Sequence, residues 1–249
     1  MVGASGGLGG ALARHYAVPG ERLLLWGRDA GRLDAIAREC RAAGALVEVR
    51  SQDLADLPRS LDALLHDDAA DPIGLALFAA GLGDIRAEGE LVEDAALVAQ
   101  LAAINFAAPA AMAAALAERM ARRGTGRIVL VGSAAGFHPL PFAAAYAGSK
   151  AGLARFADAL RLAVKPHGVA VTLVSPGFID SPGGRQVPAP PALLLSPEEA
   201  ATRVADAAHR RAAHVVISWP FAALRLLDRM LPRPLRDRLL QSLTPASIR

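Results

Sequence analysis

Short apolar runs alternate with longer helical repeats along this chain. The stretches 22–26, 46–50, 73–79, 127–131, 169–174 and 215–218 are apolar runs of strand length. Between them, apolar positions recur at helical spacing near 7–17, 29–43, 56–66, 94–122, 146–165 and 197–211. Continuous apolar strands belong to a sheet buried on both faces, and helices between the strands make that sheet parallel. The pattern predicts an α/β fold: a doubly wound parallel sheet, a Rossmann-type three-layer sandwich. No Pro/Gly/Ser-rich linker, charge run or internal repeat divides the 249 residues. Residues 1–249 therefore read as one domain, with an amphipathic tail over 219–249.

One strand is missing from the pattern. A glycine-rich segment begins at Gly3, and a dinucleotide-binding unit needs a strand just before it. Only Met1 and Val2 stand there. In the usual strand order that strand is central, so its loss leaves its neighbours with unpaired backbone groups. The expectation is a sequence that starts too late by about five to eight residues of strand. Equal melting temperature and cofactor affinity with and without an N-terminal extension would refute it.

Composition narrows the function classes. The chain is 53% hydrophobic, its formal net charge is +3, and aromatics make up 4%. Scattered arginines without a basic, aromatic-interleaved stripe argue against nucleic-acid binding. A lone cysteine, Cys40, excludes an internal disulfide and reads as a buried helical residue. His15, His66, His138, His167, His209 and His214 show no metal-ligand spacing, so no metal is expected. The glycine-rich start is unlike a secretory signal, and the alanine-rich stretch 95–116, holding Gln100, Asn105 and Pro109, reads as an interior or interface helix. A cytoplasmic protein is the default expectation, with membrane association through the tail as the alternative.

Tyr146 and Lys150 carry the chemistry most sharply. The chain has two tyrosines and two lysines against twenty-five arginines, yet one of each stands four residues apart, on one helix face. A lysine retained in so arginine-rich a chain points to a compact ammonium where a guanidinium does not fit. Ser133 follows an apolar strand, which places its hydroxyl at a strand's carboxyl end, where open α/β sheets bind ligands. A serine hydrolase is not indicated, because 132–136 reads Gly-Ser-Ala-Ala-Gly rather than G-x-S-x-G. Asn105, the chain's only asparagine, interrupts an alanine-rich helix and suggests a specific hydrogen-bonding duty.

The segment Gly3-Ala4-Ser5-Gly6-Gly7-Leu8-Gly9 spaces its glycines so that a phosphate can approach backbone amides at a helix N-terminus. After the second apolar run, Gly27 stands where an acidic residue would select NAD, and Arg28 follows, able to grip a 2′-phosphate. NADP is the expected cofactor and NAD the less favoured one. The rival reading pairs Arg28 with Asp29 or Asp34.

Taken in order, the GxxxGxG loop, Asp53-Leu54, Asn105, Ser133, Tyr146-x3-Lys150 and Pro176-Gly177 resemble the short-chain dehydrogenase/reductase family, in its single-domain form of about 250 residues. The resemblance implies that Asp53 and Leu54 border the adenine. It implies that Ile179 and Ser181 contact the nicotinamide carboxamide. It also implies a proton-carrying Tyr146, a Ser133 that orients the substrate oxygen, a Lys150 on the nicotinamide ribose, and an Asn105 supporting the helix and a water. Cofactor contacts are thereby expected from Gly3, Ser5, Gly7, Leu8, Gly9, Arg28, Asp53, Leu54, Ala80, Gly81, Tyr146, Lys150, Pro176, Gly177, Ile179 and Ser181. The helices near 94–122 and 146–165 would form a dimer or tetramer interface.

Two departures stand out: Phe78-Ala79-Ala80-Gly81 replaces Asn-Asn-Ala-Gly, and Val2 replaces a threonine. A neighbouring ammonium is expected to favour the phenolate of Tyr146. The segments 137–142 and 178–195 are apolar and proline-rich with Arg185 as their charge, which fits a lipophilic carbonyl or alcohol. In the tail, Phe221, Leu224, Leu227 and Leu231 recur at helical spacing with Arg225 and Arg229 opposite, before Pro232 and Pro234 break the pattern. Such a segment packs on its own domain or a partner subunit more often than on a membrane. The functional alternatives are an NADP-dependent oxidoreductase, a non-catalytic NADP-binding regulator, and a membrane-peripheral protein on the same fold.

Overall fold

The computed structural model describes residues 1–83, 87, 89–181 and 191–242. Strands β1 (Arg22–Gly27) and β2 (Leu46–Ser51) pair in parallel. A second parallel run follows the order β3 (Leu75–Phe78), β4 (Gly126–Val131), β5 (Val169–Ser175) and β8 (His214–Val216). The central strands β4 and β5 are buried almost throughout, as their unbroken apolar sequences require. Helices α1 (Gly7–Tyr16), α2 (Ala30–Ala42) and α7 (Pro197–His209) pack on one face. Helices α3 (Leu57–Ala70), α5 (Ala108–Arg123) and α6 (Ala144–Val164) pack on the other. This is the expected three-layer sandwich, and Cys40 is buried within α2.

Val2 joins the two runs, forming parallel bridges to Trp26 and Phe78. Its N–H donates to the Leu77 carbonyl at 2.8 Å, and its own carbonyl accepts from Ala79 N–H at 2.9 Å. On the other side Trp26 N–H donates to the Met1 carbonyl at 2.8 Å. The sheet order thus becomes β2-β1-Val2-β3-β4-β5-β8. Two residues thus stitch the strand ends that carry the glycine loop, where unpaired backbone groups were expected. Farther from that loop the halves stay apart, and a cleft of about 670 Å³ separates Leu23 and Leu24 from Leu75 and Ala76.

Other differences have local causes. The helix expected to end near 66 runs to Ala70 because its next inward position is Asp68, a polar residue that hides the periodicity. The stretch 94–122 divides into α4 (Ala95–Ala102), a π-helical turn Ala103–Ala107, and α5. This stretch is apolar enough to cross a membrane by length and composition, but Leu101, Met112, Leu116 and Met120 face the core. A small pair, β6 (Phe178–Ile179) and β7 (Leu194–Leu195), was not expected. The tail forms α8 (Trp219–Met230) and α9 (Arg233–Ser242), broken at the prolines as anticipated.

Asp68 is fully buried and accepts from Arg123 Nη1 at 2.8 Å, Arg119 Nη1 at 3.3 Å and Ile73 N–H at 3.0 Å. Burial alone would raise its pKa, but the bonds from Arg123, Ile73 and Arg119 outweigh it and hold the carboxyl below its ordinary value. Its stabilisation is therefore present above the unfolded carboxylate range and lost as pH falls through it. Asp68→Asn should cost about 2 kcal/mol and lower the melting temperature by roughly 4–8 °C, measured by calorimetry at neutral pH. An unchanged melting temperature would contradict this role.

Candidate active site

Strand β4 ends at Val131 and delivers Ser133, whose hydroxyl accepts from Ala135 N–H at 3.1 Å and caps a short 3₁₀ turn. Opposite it, the first turns of α6 present Tyr146 and Lys150. The N-terminus of α6 is held by Glu93, whose carboxylate accepts from Ala144 N–H at 2.9 Å and Ala145 N–H at 3.1 Å. Ser133 lies close enough to the Tyr146 hydroxyl to favour its ionised form. Leu140, Phe142 and Ala143 pack around Tyr146 as a separate apolar cluster.

Lys150 is 4% exposed, and its Nζ donates to the Val131 carbonyl at 3.0 Å. That Nζ lies 6.0 Å from the centre of the Tyr146 ring. Burial lowers the Lys150 pKa from 10.5 to about 8. Burial raises the Tyr146 pKa above its ordinary 10, with Ser133 opposing it in part. The expected lowering of the phenol by the ammonium is thus corrected. Burial is the main cause of the shift, and Nζ is bonded to a backbone carbonyl rather than to the phenolic oxygen. The free site holds a protonated phenol.

Asn105 sits in the π-helical turn, fully buried. A π turn inserts one residue per turn and frequently marks a functional site. Asn105 Oδ1 accepts from Leu82 N–H at 2.8 Å, and Nδ2 donates to the Leu82 carbonyl at 2.8 Å and to Ser149 Oγ at 3.3 Å. Ser149 Oγ in turn donates to the Tyr146 carbonyl at 2.8 Å. The loop after β3, which lacks side-chain amides in Phe78-Ala79-Ala80-Gly81, is therefore fastened by Asn105 and by Val2. Gly81 closes the group: a Cβ there would lie 3.2 Å from Asn105 Oδ1 and 3.3 Å from Lys150 Nζ. Glu93 and Ser149 were missed from sequence. Ser149 is betrayed only by its place between Tyr146 and Lys150, and Glu93 lies 51 residues from its partner Ala144.

A cleft of about 530 Å³ runs from the glycine loop to Gly81 and Leu82. Gly3, Ser5, Arg28, Asp53, Leu54, Ala80 and Gly81 line it. The glycines act differently from one another. Gly3 has φ +92°, and a Cβ there would meet Ala80 N at 2.5 Å. A Cβ on Gly9 would strike the Gly3 carbonyl, and one on Gly7 would lie 2.7 Å from Ser181 Cβ. Ser181 thus abuts the loop at the mouth of α1. Leu8 turns into the core and does not line the cleft, and Ile179 packs against that same core cluster. Pro176 accepts from Ala134 N–H at 2.9 Å, and Gly177 lies under the Phe221 ring. Arg185 lies outside the described residues.

Positive φ at Gly3, an amide-lined helix start and side-chain-free approaches suit a pyrophosphate, so the cleft fits a dinucleotide. At Gly27 a Cβ would stand 2.5 Å from Ser5 Oγ and 2.9 Å from Ser5 Cβ, so any side chain there would have to displace Ser5. Asp29 caps α2 and pairs with Arg32 at 3.1 Å, while Arg28 is exposed on the cleft wall.

Comparisons with known proteins agree with this geometry. The short chain dehydrogenase family model matches residues 1–191. An uncharacterized oxidoreductase of Myxococcus xanthus is 32% identical over 238 residues, covering 95% of this chain and 93% of that protein. A short-chain dehydrogenase from Sphingobium yanoikuyae, solved in complex with NADPH, is 28% identical with a TM-score of 0.79, covering 99% of this chain and 96% of the other. The bulky-bulky ketone specific alcohol dehydrogenase from Comamonas testosteroni is 27% identical with a TM-score of 0.77, covering 87% and 84%. The chain belongs to the short-chain dehydrogenase family and is an NAD(P)-dependent oxidoreductase acting on CH–OH groups.

Proposed function

We propose that this enzyme interconverts a lipophilic ketone or aldehyde and its alcohol with NADP, using Tyr146 as proton carrier. The observation that carries this reading is the meeting of Tyr146, Ser133, Lys150 and Asn105 at one end of a cleft shaped for a dinucleotide. When bound, the dinucleotide supplies or accepts the hydride at the substrate carbon. The chain's own groups manage the oxygen. In reduction Tyr146 donates its phenolic proton to the carbonyl oxygen, and in oxidation its phenolate takes the hydroxyl proton. Ser133 donates a hydrogen bond to that same oxygen and orients it. Lys150 holds the nicotinamide ribose hydroxyls, and Asn105 keeps the loop at Leu82 against α6. A phenol that burial keeps protonated starts in the form that donates its proton in reduction.

The apolar cluster of Leu140, Phe142 and Ala143 beside Tyr146 supports a lipophilic substrate. Likeness to an alcohol dehydrogenase described as specific for bulky-bulky ketones is in keeping with it. Preference for NADP rests on a glycine, Gly27, where an acid would favour NAD, and on the position of Arg28. Arg28→Ala should weaken NADPH binding by roughly tenfold to a hundredfold, the loss of one charge-assisted contact, while NADH binding stays unchanged. Fluorescence titration reads both, and equal losses for the two cofactors would overturn the assignment. Val98, Phe106 and Leu162 are exposed on α4, the π turn and α6, which supports pairing of subunits through that face. Light scattering after size exclusion tests it, and a monomer at all concentrations would refute it.

A further inference from the structure

We infer that α8 and α9 form a docking surface for an anionic lipid interface, placed directly against the substrate mouth. Helix α8 has two unlike faces. Phe221 and Arg225, one turn apart, point inward: the Phe221 ring stacks edge-on at 5.6 Å from Phe178, and the Arg225 guanidinium lies 4.5 Å over the Phe137 ring. Arg225 Nη1 also stands 3.3 Å from His214 Nδ1. The tail expectation is corrected here, since Arg225 shares the inner face with Phe221 rather than opposing it.

The outer face of α8 is apolar and uncovered. Trp219, Ala222, Ala223, Leu226 and Met230 follow helical spacing, with Trp219 79%, Leu226 63% and Met230 73% exposed. Leu235 and Leu239 continue the exposed apolar positions along α9. The stripe expected from sequence ran through Phe221, which does pack on its own domain; these exposed residues form a second apolar face beside it.

Charge decides the occupant. Within 219–242 stand Arg225, Arg229, Arg233, Arg236 and Arg238 against Asp228 and Asp237, a balance of +3. The whole chain carries 27 basic and 24 acidic residues, so outside this segment 22 face 22 and the balance is zero. All of the net positive charge is thus carried by the segment that bears the exposed apolar stripe, with Arg225 turned inward and a tryptophan at the stripe's start. An amphipathic helix with these properties lies in the headgroup region of an anionic membrane. A second copy of the chain fits less well, since a symmetric contact through this face would set +3 against +3. Because α8 also braces Phe137 and Phe178, a membrane-dissolved apolar substrate would reach the site from the lipid side. That last step rests on the lipophilic substrate proposed above; the docking itself does not.

The chain contains its own reporter. Trp26 is 1% exposed in the core and Trp219 is 79% exposed, so an emission shift on adding vesicles reports the tail. With phosphatidylcholine–phosphatidylglycerol vesicles, a blue shift and co-flotation are expected, and both should weaken with added salt. Pure phosphatidylcholine should bind roughly a hundredfold more weakly, as three net charges imply. The variant Trp219→Ser/Leu226→Ser/Met230→Ser should lose flotation while keeping its melting temperature and its turnover of a water-soluble ketone. Flotation that is equal for the variant, or absent for the wild type, would overturn the inference. So would self-association abolished by the same substitutions without lipid. Turnover failing on every carbonyl while flotation persists would reject the substrate reading alone.

Discussion

Tyr146→Phe should lower carbonyl reduction by about 10²–10⁴-fold while NADPH binding stays nearly intact. The substitution removes one hydroxyl from a side chain that packs among Leu140, Phe142 and Ala143, so the apolar contacts survive. What disappears is the hydroxyl that carries the proton for the substrate oxygen. Burial raises the pKa of this phenol, so at neutral pH the group is in its donor form before substrate arrives. The loss should fall on kcat at saturating NADPH, measured by NADPH consumption with an apolar ketone. Turnover within a few-fold of wild type would remove Tyr146 from the chemistry.

Lys150→Met should abolish most turnover and yet raise the stability of the free protein. The ammonium is 4% exposed and has the Val131 carbonyl as its hydrogen-bond partner, at 3.0 Å. A pKa that falls from 10.5 to about 8 corresponds to roughly 3 kcal/mol of unfavourable burial. Loss of the bond to Val131 offsets about 1 kcal/mol, leaving a gain of ~2 kcal/mol and a melting temperature higher by roughly 4–8 °C. The sign of the pH dependence follows from linkage. Between about 8 and 10.5 the unfolded chain holds the Lys150 proton and the folded chain does not, so this residue makes wild-type stability rise with pH. The variant should lack that rise, so the wild type should overtake it as pH rises past 10.5, by about 1 kcal/mol from its bond to Val131. A less stable variant would mean that the lysine is retained for the fold rather than for its chemistry.

Much of this organisation is legible in the chain itself. The apolar runs of β1, β4 and β5 are continuous because both faces of each strand are covered, and only a parallel sheet between helices does that. Asn105 stands out because a side-chain amide amid alanines has no local reason to exist, and it proves to fasten Leu82 across 23 residues. Tyr146 and Lys150 share a helix face by spacing alone. Other features needed tertiary structure. The protonated state of Tyr146 depends on what buries it, and no local pattern records that Lys150 Nζ turns toward Val131. Strands β6 and β7 have two residues each, too few for any periodicity. The inner and outer faces of α8 could not be told apart because both carry apolar side chains; Phe178 and Phe137 make the choice.

The protonation of Tyr146 can be followed directly by NMR of isotope-labelled tyrosine in a Tyr16→Phe background, where it is the sole tyrosine. Its resonance should titrate above pH 10 in the free protein and move to lower pH once NADP⁺ sets a positive ring beside it. Titration at or below 10 without cofactor, or no movement when NADP⁺ saturates the cleft, would contradict a buried phenol that carries the substrate's proton.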